Sequence, residues 1–308
     1  MEIRVLRYFL AVAREGSITN ASNSLHITQP TLSRQLKDLE DELGHKLFRR
    51  GSHNMSLTNE GFIFRKRAEE IIDLADKTEN EFRAMGKNIA GDIYIGGGET
   101  DAIKLLADVI RGLRNDHPDI RYHLFSGNAA DVMERLDKGF LDFGMIIQPA
   151  NLTKYDCLHI PAAETWGVVM RKDAPLASKC CVTKEDLAKL PLILSRQAIE
   201  DKKEGNEFIK WFGGEYESLN IVTTFNLIFN AAILVEKGIG YAVSIDKLVN
   251  TSEDSPLCFR PLEPGLCTGL DIIWRKDQLF SPAAELFMER LTDSFKQKAP
   301  AKGADNTF

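Results

Sequence analysis

Thr28-Gln29-Pro30-Thr31-Leu32-Ser33-Arg34-Gln35-Leu36-Lys37-Asp38-Leu39-Glu40-Asp41-Glu42-Leu43 is the stretch from which the rest of the chain becomes readable. Its leucines at 32, 36, 39 and 43 follow the 4-3-4 spacing of one buried helical stripe. At about 100° per residue the opposite face carries Pro30, Arg34 and Lys37, flanked by Gln29, Thr31 and Ser33. Thr28 suits the N-cap, and Pro30 falls in the first turn, where a missing N–H costs nothing. Arg34 and Lys37 precede the acidic run Asp38-Leu39-Glu40-Asp41-Glu42, so only the first turns of this helix suit a polyanion.

Upstream, Leu6, Phe9, Leu10 and Ala13 recur at helical spacing, Gly16 ends that helix, and Ser17 caps a second with Ile18, Ala21 and Leu25 inward. The turn His26-Ile27-Thr28 then joins two short helices, as in a helix-turn-helix whose second helix inserts its N-terminal residues into the major groove. The side chains suit such a role, since Arg34 can fork onto guanine O6 and N7, Gln29 can pair with adenine, and Ser33 can reach a base or phosphate. Downstream, Lys46-Leu47-Phe48-Arg49-Arg50, the loop Gly51-Ser52-His53-Asn54 and Met55-Ser56-Leu57-Thr58 read as a two-stranded wing. Alone, Arg49 and Arg50 read as solvated; beside a helix-turn-helix they point to phosphates, with Ser52 and His53 at the wing tip.

From Thr58 to about Met85 there is no proline and one glycine, Gly61. Phe64, Ala68, Ile71, Ala75, Thr78, Phe82 and Met85 are spaced 4-3-4-3-4-3, the seam of a helix that pairs with another helix. A core helix packed on its own chain is the alternative, and a homodimer through this seam is the expectation. Gly86-Lys87-Asn88-Ile89-Ala90-Gly91 marks a hinge. Beyond it strands and helices alternate: strands at 92–95, 120–125 and 141–147 with helices at 103–113 and around Val132 and Leu136, then strands at 166–170, 192–194, 221–224 and 241–243 with helices at 185–190, 206–211 and 227–237. A strand at 270–274 and a helix at 283–295 return to the first set. Repeated βα units imply a doubly wound sheet with a ligand crevice at the strands' C-terminal ends.

The string Leu6-Arg7-Tyr8-Phe9, Gly16-Ser17, Ala21, Gln29-Pro30-Thr31-Leu32-Ser33-Arg34-Gln35, Leu39-Glu40, Leu43-Gly44, Leu47-Phe48 with Arg50, and Leu57-Thr58-Asn59-Glu60-Gly61 resembles the winged helix-turn-helix of LysR-type transcriptional regulators. Two departures stand out. Ser22 replaces the second alanine of the family's Ala-Ala pair, and the weakly charged Gly51-Ser52-His53-Asn54 replaces an Arg-rich wing, which predicts a shallower salt dependence of DNA binding. The second half resembles the family's effector domain, with the two-lobed fold of type 2 periplasmic binding proteins. The marks are Gly91 with Ile93 and Ile95, His117-Pro118-Asp119-Ile120, Ser126-Gly127, Gly139 with Leu141-Asp142-Phe143-Gly144, and Gly238-Ile239-Gly240, although Ile245 stands where the family usually has proline.

The resemblance implies a multidomain chain: a winged helix-turn-helix at 1–58, a linker and dimerisation helix at 59–88, and an α/β effector domain at 91–295, followed by a tail at 297–308. Lobe I would take about 91–161 and 268–295, and lobe II about 162–267. Partners would be operator DNA, a small-molecule effector, RNA polymerase and further copies of the chain, as a dimer or tetramer. The expected DNA-binding residues are Thr28, Gln29, Pro30, Thr31, Ser33, Arg34, Lys37, Arg49, Arg50, Ser52 and His53. The expected ligand loops of lobe I are Gly98-Glu99-Thr100, Ser126-Gly127-Asn128 and Ile147-Gln148; lobe II would add Thr165-Trp166, Ser195 and Phe225-Asn226. Helix N-termini at these loops would offer N–H groups to an anionic or polar ligand, while Asn128 and Asn226 read equally well as plain N-caps. Glu99 disfavours a simple carboxylate effector unless Arg196 or a cationic group of the ligand compensates.

Composition agrees with a globular protein and excludes little else. Residues 1–60 hold eight Lys/Arg against seven Asp/Glu in a chain of net charge −6, so a nucleic-acid reading rests on where particular cations point. No apolar run is long enough for a membrane span, no apolar signal core follows Met1, and a cytoplasmic protein is expected. Five cysteines, all in the second half and with no C-x-x-C, suit reduced thiols; Cys258 and Cys267 could form a redox pair or simply pack in strands. Gly96-Gly97-Gly98 lacks the glycine at 101 that a dinucleotide fingerprint needs, and no G-x-S-x-G, H-E-x-x-H or P-loop occurs. The six histidines stand apart from any metal-ligand spacing, so neither an enzyme nor a cofactor or metal is expected. The alternative is a cytoplasmic solute-binding protein, which the second half alone would suggest.

Overall fold

The computed structural model of the chain describes residues 1–50, 55–84, 89–196, 199, 207–213 and 218–298. The expected wing-tip residues Ser52 and His53, the seam residue Met85 and the end of the tail lie outside them. The chain divides into two compact units, Met1–Arg83 and Ala84–Phe308.

The first unit is built from α1 (Ile3–Glu15), α2 (Ile18–Ser24), α3 (Gln29–Leu43), a hairpin of β1 (Phe48–Arg50) and β2 (Met55–Leu57), and the long α4 (Asn59–Ala84). Gly16 and Gly44, both at positive φ, end α1 and α3, and the Ser17 side chain accepts from the Asn20 N–H at the start of α2. Thr28 occupies the N-cap of α3 without capping it; its hydroxyl instead pairs with that of Thr31 at 2.8 Å. The expected stripe holds: Leu32, Leu36 and Leu39 are buried in a core with Leu6, Phe9, Val12 and Ala21, and Leu43 packs against its edge.

The expected α4 seam is corrected in its first half. Phe64 and Ala68 turn into the core of their own unit together with Ile72, and the Phe64 ring meets Phe9 edge-on at 4.9 Å. Ile71, Leu74 and Phe82 stay exposed. A helix docked on its own domain follows a 3.6-residue period, so the first turns bury the 64-68-72 line.

In the second unit, β3 (Gly91–Gly97), α5 (Ile103–Asp116), β4 (Ile120–Ser126), α6 (Ala129–Asp137) and β5 (Phe143–Ile147) form consecutive βα units in which β4, β3 and β5 lie parallel. The 17-residue β6 (Tyr155–Arg171) then runs antiparallel to its neighbours. Next come α7 (Lys184–Leu187), β7 (Leu192–Ser195), α8 (Glu207–Phe212), β8 (Ile221–Phe225), α9 (Ile228–Glu236), β9 (Tyr241–Ile245), β10 (Leu257–Pro261), β11 (Cys267–Arg275) and α10 (Pro282–Lys298). The strand order is β4-β3-β5-β11-β6-β9-β7-β8, with β10 also on β6. The sheet is mixed: β11 runs against the parallel set β4-β3-β5, and β6 runs against β9 of the other parallel set, with β10 in turn antiparallel to β6.

Helices cover both faces of each half. Alternate residues of β3, β5 and β11 meet α5 and α10 through Leu106, Leu113, Phe287 and Leu291, while Val132 and Leu136 of α6 pack on the other face. In the second half Leu192 and Leu194 face Phe208 and Phe212 of α8, and Ile193 faces Ile228 and Val235 of α9. Residues 155–165 and 257–261 were not expected as strands. They carry His159, Glu164, Arg260 and Pro261 without a clean two-residue alternation, and long-range pairing holds them extended.

Candidate nucleic-acid interface and ligand cleft

Burying Leu32, Leu36 and Leu39 turns the opposite side of α3 outward. Gln29, Pro30, Thr31, Arg34 and Lys37 are exposed with Thr28 beside them, and Ser33 is half-buried at the margin. Arg34 makes a 3.8 Å ion pair to Asp38 in which both partners are exposed, and among the described residues nothing else holds its guanidinium away from a base edge. Arg49 is exposed on β1 next to Ser56 of β2; Arg50 ends that strand.

Glu40, to which motif reasoning assigned no role, joins the recognition helix to the wing. Its Oε1 accepts from the backbone N–H of Leu47 at 2.8 Å and of Phe48 at 3.2 Å, and its Oε2 accepts from Lys46 at 2.8 Å. Burial alone would push its carboxyl up, but the bonds from Lys46, Leu47 and Phe48 outweigh burial and hold it below the ordinary carboxylate range. The Thr58 N–H donates to Leu47 O at 2.9 Å, its hydroxyl donates to Lys46 O at 2.7 Å, and that hydroxyl accepts from Gly61 N at 2.9 Å. The Met55 N–H donates to Gly16 O at 2.8 Å. The wing is thus fixed to α3, α4 and the α1–α2 corner together.

The second unit contains a cleft of about 420 Å³ between its two halves, within the size range of small-molecule sites. Of the expected ligand residues, Gly98, Glu99, Gly127, Asn128, Ile147 and Gln148 line it from one side and Trp166, Ser195, Phe225 and Asn226 from the other. Three do not. Thr100 is buried, donating its hydroxyl to the buried Glu164 carboxylate, and with Ser126 it borders a second hollow of about 350 Å³. Thr165 points at Cys267 Sγ, 3.9 Å away. Sequence reasoning missed Ser244, Cys267, Thr268 and the α8 residues Glu207 and Phe208. They arrive on the returning strands and a short helix, and no local motif marks them.

At two expected anion sites a side chain of the protein itself takes one of the helix-start N–H groups. Asn128 Oδ1 accepts from Asp131 N at 2.9 Å, so it is the N-cap of α6. Asn226 is not the cap of α9, because Leu227 holds that position and the carboxylate of Glu99, from the other half, accepts from Ile228 N at 2.7 Å. Gln148 is positioned by donating Nε2 to Asp271 Oδ2 at 2.7 Å, and His159 Nδ1 lies 3.1 Å from the other oxygen of Asp271. Arg196 does not line the cleft; among the described residues its charged lining groups are Glu99 and Glu207, both acidic.

All five cysteines are free thiols; Cys258 is buried on β10, where burial pushes its thiol up, and Cys267 is exposed on β11. No described helix is long and apolar enough to cross a membrane.

Known proteins match each half and the whole. Residues 3–62 match the bacterial regulatory helix-turn-helix protein family of lysR type, and residues 86–296 match the LysR substrate binding domain. The chain is 29% identical over 305 residues to the uncharacterized HTH-type transcriptional regulator YybE of Bacillus subtilis (strain 168), covering 96% of this chain and 100% of that one. It is also 29% identical over 289 residues to the Hca operon transcriptional activator HcaR of Escherichia coli (strain K12), covering 94% and 96%. The fold is that of CbnR, a LysR family transcriptional regulator, with a TM-score of 0.73 at 21% identity over 96% of this chain and 99% of that one. CbnR complexed with its target DNA gives 0.72 at 21% identity over 97% and 100%. A helix-turn-helix with an outward polar row, joined to an α/β effector domain with its own cleft, agrees with these matches over the whole chain, which belongs to the LysR family of DNA-binding transcriptional regulators.

Proposed function

We propose that the polar row of α3 reads operator sequence and that the basic wing holds the phosphates. Gln29, Ser33 and Arg34 contact base edges; Thr28, Pro30, Thr31 and Lys37 fit the groove wall; Arg49 and Arg50, with Ser52 and His53 at the wing tip, grip the backbone. The observation that carries this reading is the exposure of Arg34 and Lys37 opposite three buried leucines. Two copies paired through the exposed part of α4 would read two half-sites about one helical turn apart, which strengthens the modest affinity of a single domain.

An effector in the cleft changes the closure of the two halves, and closure re-angles the paired recognition helices, altering DNA bending and contact with RNA polymerase. The ten cleft-lining residues named above are its contact set. The protein works in the cytoplasm and regulates by binding, without catalysis. Footprinting upstream of its own gene tests the DNA assignment: a Gln29→Ala/Arg34→Ala double variant loses sequence preference, and retention of the wild-type footprint and preference overturns the assignment. Effector-dependent change in that footprint, abolished by filling the cleft with Ala130→Trp, tests the second half.

A further inference from the structure

We propose that the cleft selects a ligand carrying a protonated amine and rejects a carboxylate, with Glu99 as the charge-recognising residue. This rests on the reading that the effector sits between the two halves.

The N-terminus of a helix attracts anions, because its first N–H groups lack partners and its dipole is positive there. In this cleft the protein has supplied the anion itself. Glu99 reaches across from the loop after β3 and accepts from Ile228 N with Oε2, at the start of α9. At α6 the Asn128 side chain, as N-cap, accepts from Asp131 N in the first turn. An incoming carboxylate therefore finds one N–H of each helix start already taken, and the charged lining groups that it meets among the described residues, Glu99 and Glu207, are both acidic. Like charges brought together at a protein surface of lower effective dielectric than water repel more strongly than in bulk solvent.

An ammonium group meets the opposite situation. Glu99 Oε1 has no partner among the described residues and can accept from it while Oε2 keeps its bond to α9. The remaining wall is largely apolar, with Trp166, Phe208 and Phe225 on one side. The Trp166 and Phe208 rings lie 5.0 Å apart, and aromatic faces of this kind attract a cation as well as an apolar body. The fitting ligand is thus a compact amine with an aromatic or aliphatic body. Binding would draw on a residue that already bridges the two halves, so occupancy and closure are coupled at Glu99.

The test uses the full chain and probes matched in shape and opposite in charge: phenethylamine against phenylacetate, and cyclohexylamine against cyclohexanecarboxylate. Calorimetry and thermal shift are read for wild type, Glu99→Gln and Ala130→Trp. Gln keeps an oxygen for Ile228 N–H and so keeps the fold. Wild type is expected to bind an amine at least about tenfold tighter than its carboxylate twin, and Glu99→Gln is expected to erase that preference. The proposal is overturned by a wild-type preference for the carboxylates, by an amine preference that Glu99→Gln leaves intact, or by no amine binding up to about 10 mM. Amine binding lost in Ala130→Trp but indifferent to Glu99→Gln removes only the charge assignment, whereas amine binding indifferent to both variants removes the cleft as the effector site.

Discussion

Replacing Glu40 by alanine removes the acceptor that joins α3 to the wing, and the structure sets the size of the effect. Two backbone N–H groups, of Leu47 and Phe48, and the Lys46 ammonium converge on one carboxylate whose side chain is only 10% exposed. Lys46 itself is 65% exposed, so its share is small. The two N–H bonds to a charged acceptor carry most of the energy, and losing both costs about 2–4 kcal/mol locally. Hydrogen exchange of the full chain, read on the segment 45–50, should then speed up by about thirtyfold or more. Glu40→Gln, which can keep an oxygen toward Leu47 and Phe48, should cost about 1 kcal/mol or less.

The pH dependence has a definite sign. Because the folded carboxyl lies below its ordinary value of 4.5, the stabilisation is fully present above that value and is lost as pH falls through the lower folded value. Glu40→Gln should flatten that part of the acid limb. Wild-type exchange rates at Leu47 and Phe48 in Glu40→Ala at neutral pH would show that the wing is held by something else.

Gly61→Ala brings a Cβ to 2.1 Å from Leu47 O and 3.1 Å from Leu57 Cδ2, so the first unit should lose about 3 kcal/mol or more in thermal unfolding; a cost under about 1 kcal/mol contradicts the close approach. Arg49→Ala should weaken binding to all duplexes alike and reduce the salt slope by about one, measured by titration at several salt concentrations, whereas a changed sequence preference would put Arg49 on bases instead. Tyr122 buries a hydroxyl with no partner among the described residues, and burial pushes its ionisation up to about 12 from 10.0. Its contribution to stability is therefore present below pH 10 and declines as pH rises toward 12, and Tyr122→Phe should remove that slope while costing less than about 1 kcal/mol at pH 7; an unchanged alkaline limb refutes this.

The helix-turn-helix was legible because its information is local. The leucine spacing of α3, the glycines that close α1 and α3 and the cap at Ser17 act within one or two helical turns, and they alone determine which side of α3 faces out. The parallel βα units and most of the cleft loops were legible for the same reason, since a loop at the C-terminal end of a strand occupies a position that chain order sets. Tertiary structure decided the rest. The phase of α4 was settled by whether Phe64 and Ala68 found Phe9 or a partner helix, and sequence periods of 3.5 and 3.6 barely differ over two turns. The antiparallel courses of β6, β10 and β11 come from pairings between segments about 100 residues apart, which leave no local pattern. Glu99 could be read as a misplaced acid, but only the approach of α9, 129 positions away, makes it a bridge across the cleft. Spacing along one chain segment fixes the face that segment buries, and the group that answers a charge across a cavity is fixed only when two distant segments meet.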